Sequence, residues 1–511
     1  MNTMLTFARS ENQVRLLAQY ALDFLADKFA EPADAVYRRV EAFHLDSVAC
    51  GVSALACGTN APRILRQEAL EYPCGLGNTT RGVPCFGSTI AVAPEKAVVA
   101  NSSAVREWDS NGTNFGYDPA RGHTAGEFGH NDFYPVAVAA AQLAGFDGRR
   151  TLKAMLLLDE IRGRLAEVFS LKTYKIDHVV HGAIGSAIVY GAALGATVDQ
   201  IESAVGLVVA HYIPFRAIRH GKQLSDSKGA SAAISSEVAV LSMRRAMRGF
   251  IGPADIFRNA EAIFCLFEKP ATKSESPFDL VMAADGDDFT VMGMHFKLGL
   301  YEHQSAGAIQ GLIDLLTSRP ELLEDESRIK RLSITIYEPA FSIIGDPAKR
   351  DPRTRQSADH SMVYIIATLL RKALELKRAG WKELMLAPED YSDAALVHPL
   401  TRRLIERIDF RHGGREYDRR YPDGIPTSLA IDFVDARGEK NTFESGLVMY
   451  PEGHARNRSG NLEGLLQHKF QLLASLGVDD PSALYRRFSD LRTKSAAEIA
   501  QLYDFRIRGI E

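Results

Sequence analysis

The chain has 511 residues, 46% of them hydrophobic, and its 60 lysines and arginines against 64 aspartates and glutamates leave a net charge of −4. That length exceeds one ordinary core and predicts two domains, or three. The near-neutral charge argues against a dedicated nucleic-acid or anionic-membrane binder, so any basic site must be local.

The N-terminal MNTMLTFARSENQVRLL holds no apolar core of secretory length, and no run of about eighteen apolar residues follows, which predicts a soluble, cytoplasmic protein without a membrane partner. Five cysteines (Cys50, Cys57, Cys74, Cys85, Cys265) form no CxxC pair, suggesting neither a disulfide framework nor a zinc ribbon.

Residues 12–30 repeat Val14, Leu17, Ala21, Phe24, Leu25 and Phe29 at the helical period and predict an amphipathic helix. From Ala33 a second helix, AVYRRVEAFHLDSVACGVSALACG, turns to small residues after Asp46 and reads as a core helix. Pro94, tolerated in a first turn, opens PEKAVVANSSAVREW. The stretch from Asn101 to Pro135 then breaks at Asp109 and gathers Asp, Asn, Thr, His and Gly before an Ala-rich helix resumes. Helix-length periodic segments follow: FYPVAVAAAQLAGF, RTLKAMLLLDEIRGRLAEVF, HVVHGAIGSAIVYGAALGA, VDQIESAVGLVVAHY and SKGASAAISSEVAVLSMRRAM.

Together these predict a large all-helical domain over residues 1–268. Helices from about 455–511 are candidates to complete it. After the boundary loop EKPATKSESPFD, RLSITIYE alternates Leu332, Ile334 and Ile336 with Ser333, Thr335 and Tyr337 as a strand does. SLAIDFVDARGEKNTFESGLVMY reads as a hairpin reversing near Ala436-Arg437-Gly438. With the helical runs SMVYIIATLLRKALELK and LEGLLQHKFQLLASLG, residues 269–454 form a smaller α+β domain in a mainly α protein.

Polar clusters at the ends of apolar helices are the candidates for chemistry. Asp109 and His130 stand at the two ends of the glycine-rich stretch, where helix termini hold side chains rigidly. His178, with Tyr174, Lys175, Asp177 and His181 near it, precedes a small-residue helix whose N-terminus would lower its pKa and suit it as a base; a capping or core histidine is the alternative. Arg216, Arg219, His220 and Lys222, followed by Ser227-Lys228-Gly229 at a helix start, offer a carboxylate or phosphate cradle, or a solvated charged loop. His295 and Lys297, with Tyr301, Glu302 and His303, lie in apolar surroundings where a lysine is partly desolvated. Asp359-His360-Ser361 reads as a helix cap. Among fourteen histidines none has HExxH or similar ligand spacing, which favours a metal-free site of His, Lys and Arg around an anionic substrate.

These segments resemble the MmgE/PrpD superfamily over nearly the whole chain. The resemblance is carried by FHLDSVACG, ANSSAVREWD with Gly129-His130, DHVVHGAIGSA, FRAIRH, SKGASAA, MHFKLGLYEHQSA, DHSMVYIIATLL and YPEGHARNRSGNLEGLLQHKF. It implies a helical domain, an α+β lid, a site between them, a homodimer, and no cofactor or metal. It also implies carbon–oxygen lyase chemistry, dehydrating a small tricarboxylate such as 2-methylcitrate to an aconitate-type alkene. The alternatives are an epimerase or decarboxylase of a related di- or tricarboxylate, or a non-catalytic carboxylate binder.

Carried over position by position, the family's pocket aspartate and threonine fall on Asp109 and Thr113, its histidines on His130 and His178, its lysine before a small-residue helix on Lys228, and its lid-side pair on Lys297 and His303. Arg216, Lys228 and Lys297 would stabilise developing charge, with Arg219 and His220 beside them. His178 or His130 would act as base, the other or Lys297 as acid, and Asp109 would orient a histidine. Two departures touch the pocket: Asn131 replaces a proline after a longer loop, and LGLYEHQ follows Lys297. The inserted residues 114–128, with Tyr117, Arg121 and His123, are where substrate preference is expected.

Overall fold

The computed structural model describes residues 3–75, 81–113, 131–219, 223–458 and 460–510. The chain divides into one unit of Met1–Ile218, Gly229–Met294 and Leu473–Glu511, and another of Arg219–Lys228 and His295–Leu472.

In the first unit the apolar periodicity becomes the helices that it predicts. Gln13–Leu25 starts at Asn12, whose side chain accepts the Arg15 N–H, and buries Val14, Leu17, Ala18, Ala21 and Phe24 along one face. It ends short of the predicted residue 30, with Asp27 in the left-handed region at φ 58°. Asp34–Ala56 is buried continuously from Phe43 to Leu55, the core helix that its small residues suggested. Pro94–Arg106, Tyr134–Ala144, Gly148–Val168, Val179–Ala193, Val198–His211 and Ser227–Ala246 follow. Thr197 and Gln200 form a reciprocal capping box at the start of Val198–His211.

This unit is not all-helical, however. Met4–Phe7 pairs antiparallel with Leu280–Ala283, and Val83–Pro84 with Ala91–Val92. Strands of two to four residues are too short for alternation to stand out, and the first pair joins segments distant in sequence.

The second unit holds a four-stranded sheet in the order Ile408–His412, Ile329–Ile336, Ser428–Val434, Lys440–Glu444. The first two strands run parallel and the other pairings are antiparallel. Ser428–Val434 and Lys440–Glu444 are the predicted hairpin, with Val434 opposite Lys440. Ile329–Ile336 buries Ser333 as well as Leu332, Ile334 and Ile336, because it is an inner strand paired on both edges. Met362–Leu376 begins at Ser361, whose hydroxyl accepts the Tyr364 N–H. Among the described residues no single helix is long and apolar enough to cross a membrane.

Candidate functional site

Helix Pro94–Arg106 delivers a buried guanidinium to the start of the predicted pocket stretch. Arg106 Nη1 donates to the Trp108 carbonyl at 3.2 Å and lies 3.8 Å from Asp109 Oδ1, while its Nε is 3.6 Å from Asp132 Oδ2. Two buried carboxylates thus flank one cation.

Asn131, where the family pattern has proline, fastens the far end of the stretch to its beginning. Its Oδ1 accepts the Gly112 N–H at 2.9 Å and its carbonyl accepts the Ser47 hydroxyl at 3.2 Å. Beside it Thr113 is fully buried, and its hydroxyl has no hydrogen-bond partner among the described residues.

Phe133 packs against helix Val179–Ala193 at Gly182, where a Cβ would come within 2.1 Å of the ring. That close approach holds Asp132 and Tyr134 near Gly148–Val168, a helix that places charges in the core. Arg162 lies over the Phe133 ring at 4.5 Å and 3.6 Å from Asp159 Oδ1. Burial pulls the Arg162 pKa down, opposed by Asp132 and Asp159. Burial also pushes Asp159 up to about 7, against Arg162 and the Tyr134 hydroxyl that it accepts.

The two histidines of DHVVH separate into different roles. His178 immediately precedes Val179–Ala193, its Nδ1 3.7 Å from Asp177 Oδ1. His181 donates Nε2–H to the Phe169 carbonyl at 2.9 Å, and burial holds its pKa down at about 4. His181 is the core histidine; His178 keeps a carboxylate neighbour. The Asp177 N–H donates to the Pro214 carbonyl and the Arg216 N–H to the Lys175 carbonyl, both at 2.8 Å. Two clusters separate in sequence, around His178 and Arg216, are therefore joined by backbone.

In the second unit Lys228 is almost wholly buried, and its Nζ lies 2.7 Å from Asp359 Oδ1 and 2.8 Å from His360 Nδ1. Its Nζ is thus held between a carboxylate and an imidazole. The stretch 359–361 caps the helix through Ser361, as its sequence suggests, while Asp359 and His360 beside it hold Lys228. The Glu302 N–H donates to the Asp359 carbonyl at 2.9 Å, which ties the segment carrying His303 to the Lys228 cluster.

Lys297 is buried and its carbonyl accepts Lys469 Nζ at 2.8 Å. One residue before it, the Phe296 N–H donates to the Gly453 carbonyl at 2.8 Å. Gly453 has φ 85°, and a Cβ there would sit 2.4 Å from the Phe296 oxygen, so glycine is required. The turn sets His454 against His295 with ring centroids 3.8 Å apart, and His295 lies edge-on to His303 at 5.0 Å. His454 Nδ1 accepts the Arg456 N–H at 3.1 Å, which assigns it the Nε2–H tautomer when neutral.

The predicted site residues therefore fall in both units: Asp109, Thr113, His178 and Arg216 in the first, and Arg219, Lys228, Lys297 and His303 in the second. His130, His220, Lys222 and the insertion 114–128 lie outside the described residues. Sequence reasoning passed over Arg106, Asp132, Asp159 and Arg162. The charged DEIR inside the apolar LLLDEIRGRLAEV was a signal available for the last two.

The chain matches the MmgE/PrpD N-terminal domain over residues 15–275 and the MmgE/PrpD C-terminal domain over residues 302–486. It is 24% identical over 450 residues to the 2-methylcitrate dehydratase of Escherichia coli strain K12, covering 83% of this chain and 84% of that protein. The 2-methylcitrate dehydratase of Salmonella typhimurium is 23% identical over 471 residues, covering 86% and 88%. Alkylcitrate dehydratase phiI of a fungal species is 23% identical over 400 residues, covering 76% and 71%.

Proposed function

Since this chain belongs to the MmgE/PrpD family, we propose that it is a hydro-lyase that dehydrates a small tricarboxylate such as 2-methylcitrate to an aconitate-type alkene, without metal or organic cofactor. The observation that carries the reading is the pairing of buried cations with histidine and carboxylate groups. Arg106 stands between Asp109 and Asp132, His178 stands beside Asp177, and Lys228 is held by Asp359 and His360. Relatives named as 2-methylcitrate and alkylcitrate dehydratases supply the substrate class.

The reaction breaks a C–H bond next to a carboxylate and a C–O bond on the adjoining carbon. The C–H electron pair becomes the new double bond as hydroxide departs. His178 takes the proton, and an acid, Lys297 or His303, delivers one to the leaving hydroxyl so that water forms. Arg216, Arg219, Lys228 and Lys297 balance the substrate carboxylates and the charge that spreads into one of them during proton removal. Thr113 donates to or accepts from a substrate oxygen. Asp109, against Arg106, fixes the pocket end of the stretch.

The test is to incubate chelator-treated protein with 2-methylcitrate, a longer 2-alkylcitrate, citrate and cis-aconitate and to follow products by proton NMR. An alkene without CO2 is expected. Only exchange of the α-proton in D2O would mean epimerisation, release of CO2 would mean decarboxylation, and loss of turnover on chelation restored by a divalent ion would overturn the metal-free assignment.

A further inference from the structure

Residues 296–302 belong to no helix or strand, so the buried backbone that carries Lys297 takes its partners from elsewhere. The N–H groups around it use ordinary backbone carbonyls: Phe296 donates to Gly453 at 2.8 Å, Leu300 to Leu386 at 3.1 Å and Glu302 to Asp359 at 2.9 Å. The peptide unit that joins Lys297 to Leu298 is held differently. Its carbonyl accepts Lys469 Nζ at 2.8 Å, and its N–H donates to the Tyr301 hydroxyl oxygen at 2.8 Å. Lys297, Lys469 and Tyr301 are each 1% exposed.

In a trans peptide the C=O and the N–H point in opposite directions, so the two side chains grip one rigid plane from its two ends. A single tether would let that plane swing about the flanking single bonds. Two tethers fix it, and with it the direction in which the Lys297 side chain leaves the backbone. The grip has its own footing. Leu465 and Lys469 stand four residues apart in helix Leu462–Ala474 and share a face, and Leu465 packs with Leu298 and Met385 in one apolar cluster. The leucine anchors Leu298 while the ammonium holds the carbonyl just before it. An ammonium is costly to bury, and the charge-assisted bond that this one makes to the carbonyl is correspondingly strong and directional.

We propose that Lys469 and Tyr301 are the positioning residues of Lys297, aiming its side chain by fixing the peptide that follows it. Both act through Lys297 and not on the substrate. This deepens the hydro-lyase reading, in which Lys297 faces a substrate carboxylate and is a candidate acid, and its catalytic consequence rests on that reading.

Amide hydrogen exchange tests the grip without turnover. Lys469→Met keeps the length of the side chain beside Leu465 and removes the ammonium, and Tyr301→Phe removes the hydroxyl alone. The Leu298 amide should exchange at least about 10-fold faster in Lys469→Met, although Tyr301, its own acceptor, is still in place. Unchanged Leu298 protection in that variant overturns the proposal. A double-mutant cycle separates positioning from a merely structural role, and Tyr301→Phe carries it if Lys469→Met does not fold. Each substitution should lower kcat/KM roughly 10-fold in the otherwise native protein and less than about 2-fold in Lys297→Met, where the group through which it acts is gone. Equal losses in the two backgrounds overturn the proposal. If the protein turns over none of the acids, the hydro-lyase reading falls, and the same cycle is read from calorimetric affinity for tricarballylate, a tricarboxylate with no hydroxyl to lose. A cycle that closes there leaves the positioning roles standing, and no binding of that acid by the wild type overturns them as well.

Discussion

His181 sits in the core with one nitrogen bonded to a carbonyl and the other, Nδ1, without a partner among the described residues. Charging it would place a buried N–H without an acceptor, which is why burial draws its pKa from 6.5 down to about 4. The folded state therefore keeps this imidazole neutral while the unfolded chain protonates it below 6.5. Between those two values the unfolded state binds more protons, so stability rises with pH, is complete above 6.5 and is lost as pH falls toward about 4. At about 1.4 kcal/mol per pKa unit the full gap corresponds to about 3 kcal/mol. By about pH 5 the two titration curves give up about 2 kcal/mol of it. His181→Asn removes the titration and leaves an amide to donate to the Phe169 carbonyl. Urea unfolding midpoints of both proteins at about pH 7.5 and about pH 5 read the effect. The variant should be the less stable protein at the higher pH and close most of that gap at the lower one. Parallel decline of the two midpoints would refute a buried neutral His181.

Asp159 has the opposite sign. Its pKa is raised from 3.8 to about 7, so the wild type loses stability as pH climbs through that window, and Asp159→Asn should gain on the wild type between about pH 5 and pH 8 in thermal-shift measurements. A constant difference would rule out a carboxyl held protonated there. Gly453→Ala should cost about 3 kcal/mol through its left-handed φ and its collision with the Phe296 carbonyl. Gly438→Ala, at φ 84° in an open hairpin turn, should cost only about 1 kcal/mol, and similar losses at the two sites would contradict the packing argument. His178→Gln should fold with unchanged melting yet lose roughly 10²- to 10⁴-fold in kcat on the acid that the NMR panel identifies, and full turnover would remove it as the base.

The long helices and the hairpin were legible because period and turn chemistry are local: Val14 to Phe24, the Met362–Leu376 run and Gly438 each declare themselves within a few residues. The short strand pairs were not, since Met4–Phe7 exists only by virtue of Leu280–Ala283. The same distinction governs the site. Residue types that stand out in a loop, such as Asp109, His178 and Lys228, can be named from sequence. Their partners Arg106, Asp359 and His360 cannot, because nothing local says that a cap-like Asp-His pair will meet a lysine about 130 residues away in the chain. Tertiary pairing also separates His181, bonded to the Phe169 carbonyl, from His178, the histidine that the sequence singled out, which lies beside Asp177.

The interleaved chain path of the first unit sets an order of events during synthesis. The Gly148 N–H is bonded to the Lys494 carbonyl, and Glu41 accepts the N–H groups of Asp490 and Leu491. Helices from early in the chain therefore wait for residues past 490 before these bonds can form, while all of His295–Leu472 has already left the ribosome. The second unit's sheet has every strand in hand by Glu444. The stretch in the middle of the chain can thus be structured before the piece that begins it is closed, and the apolar helices of the first unit spend that interval incomplete.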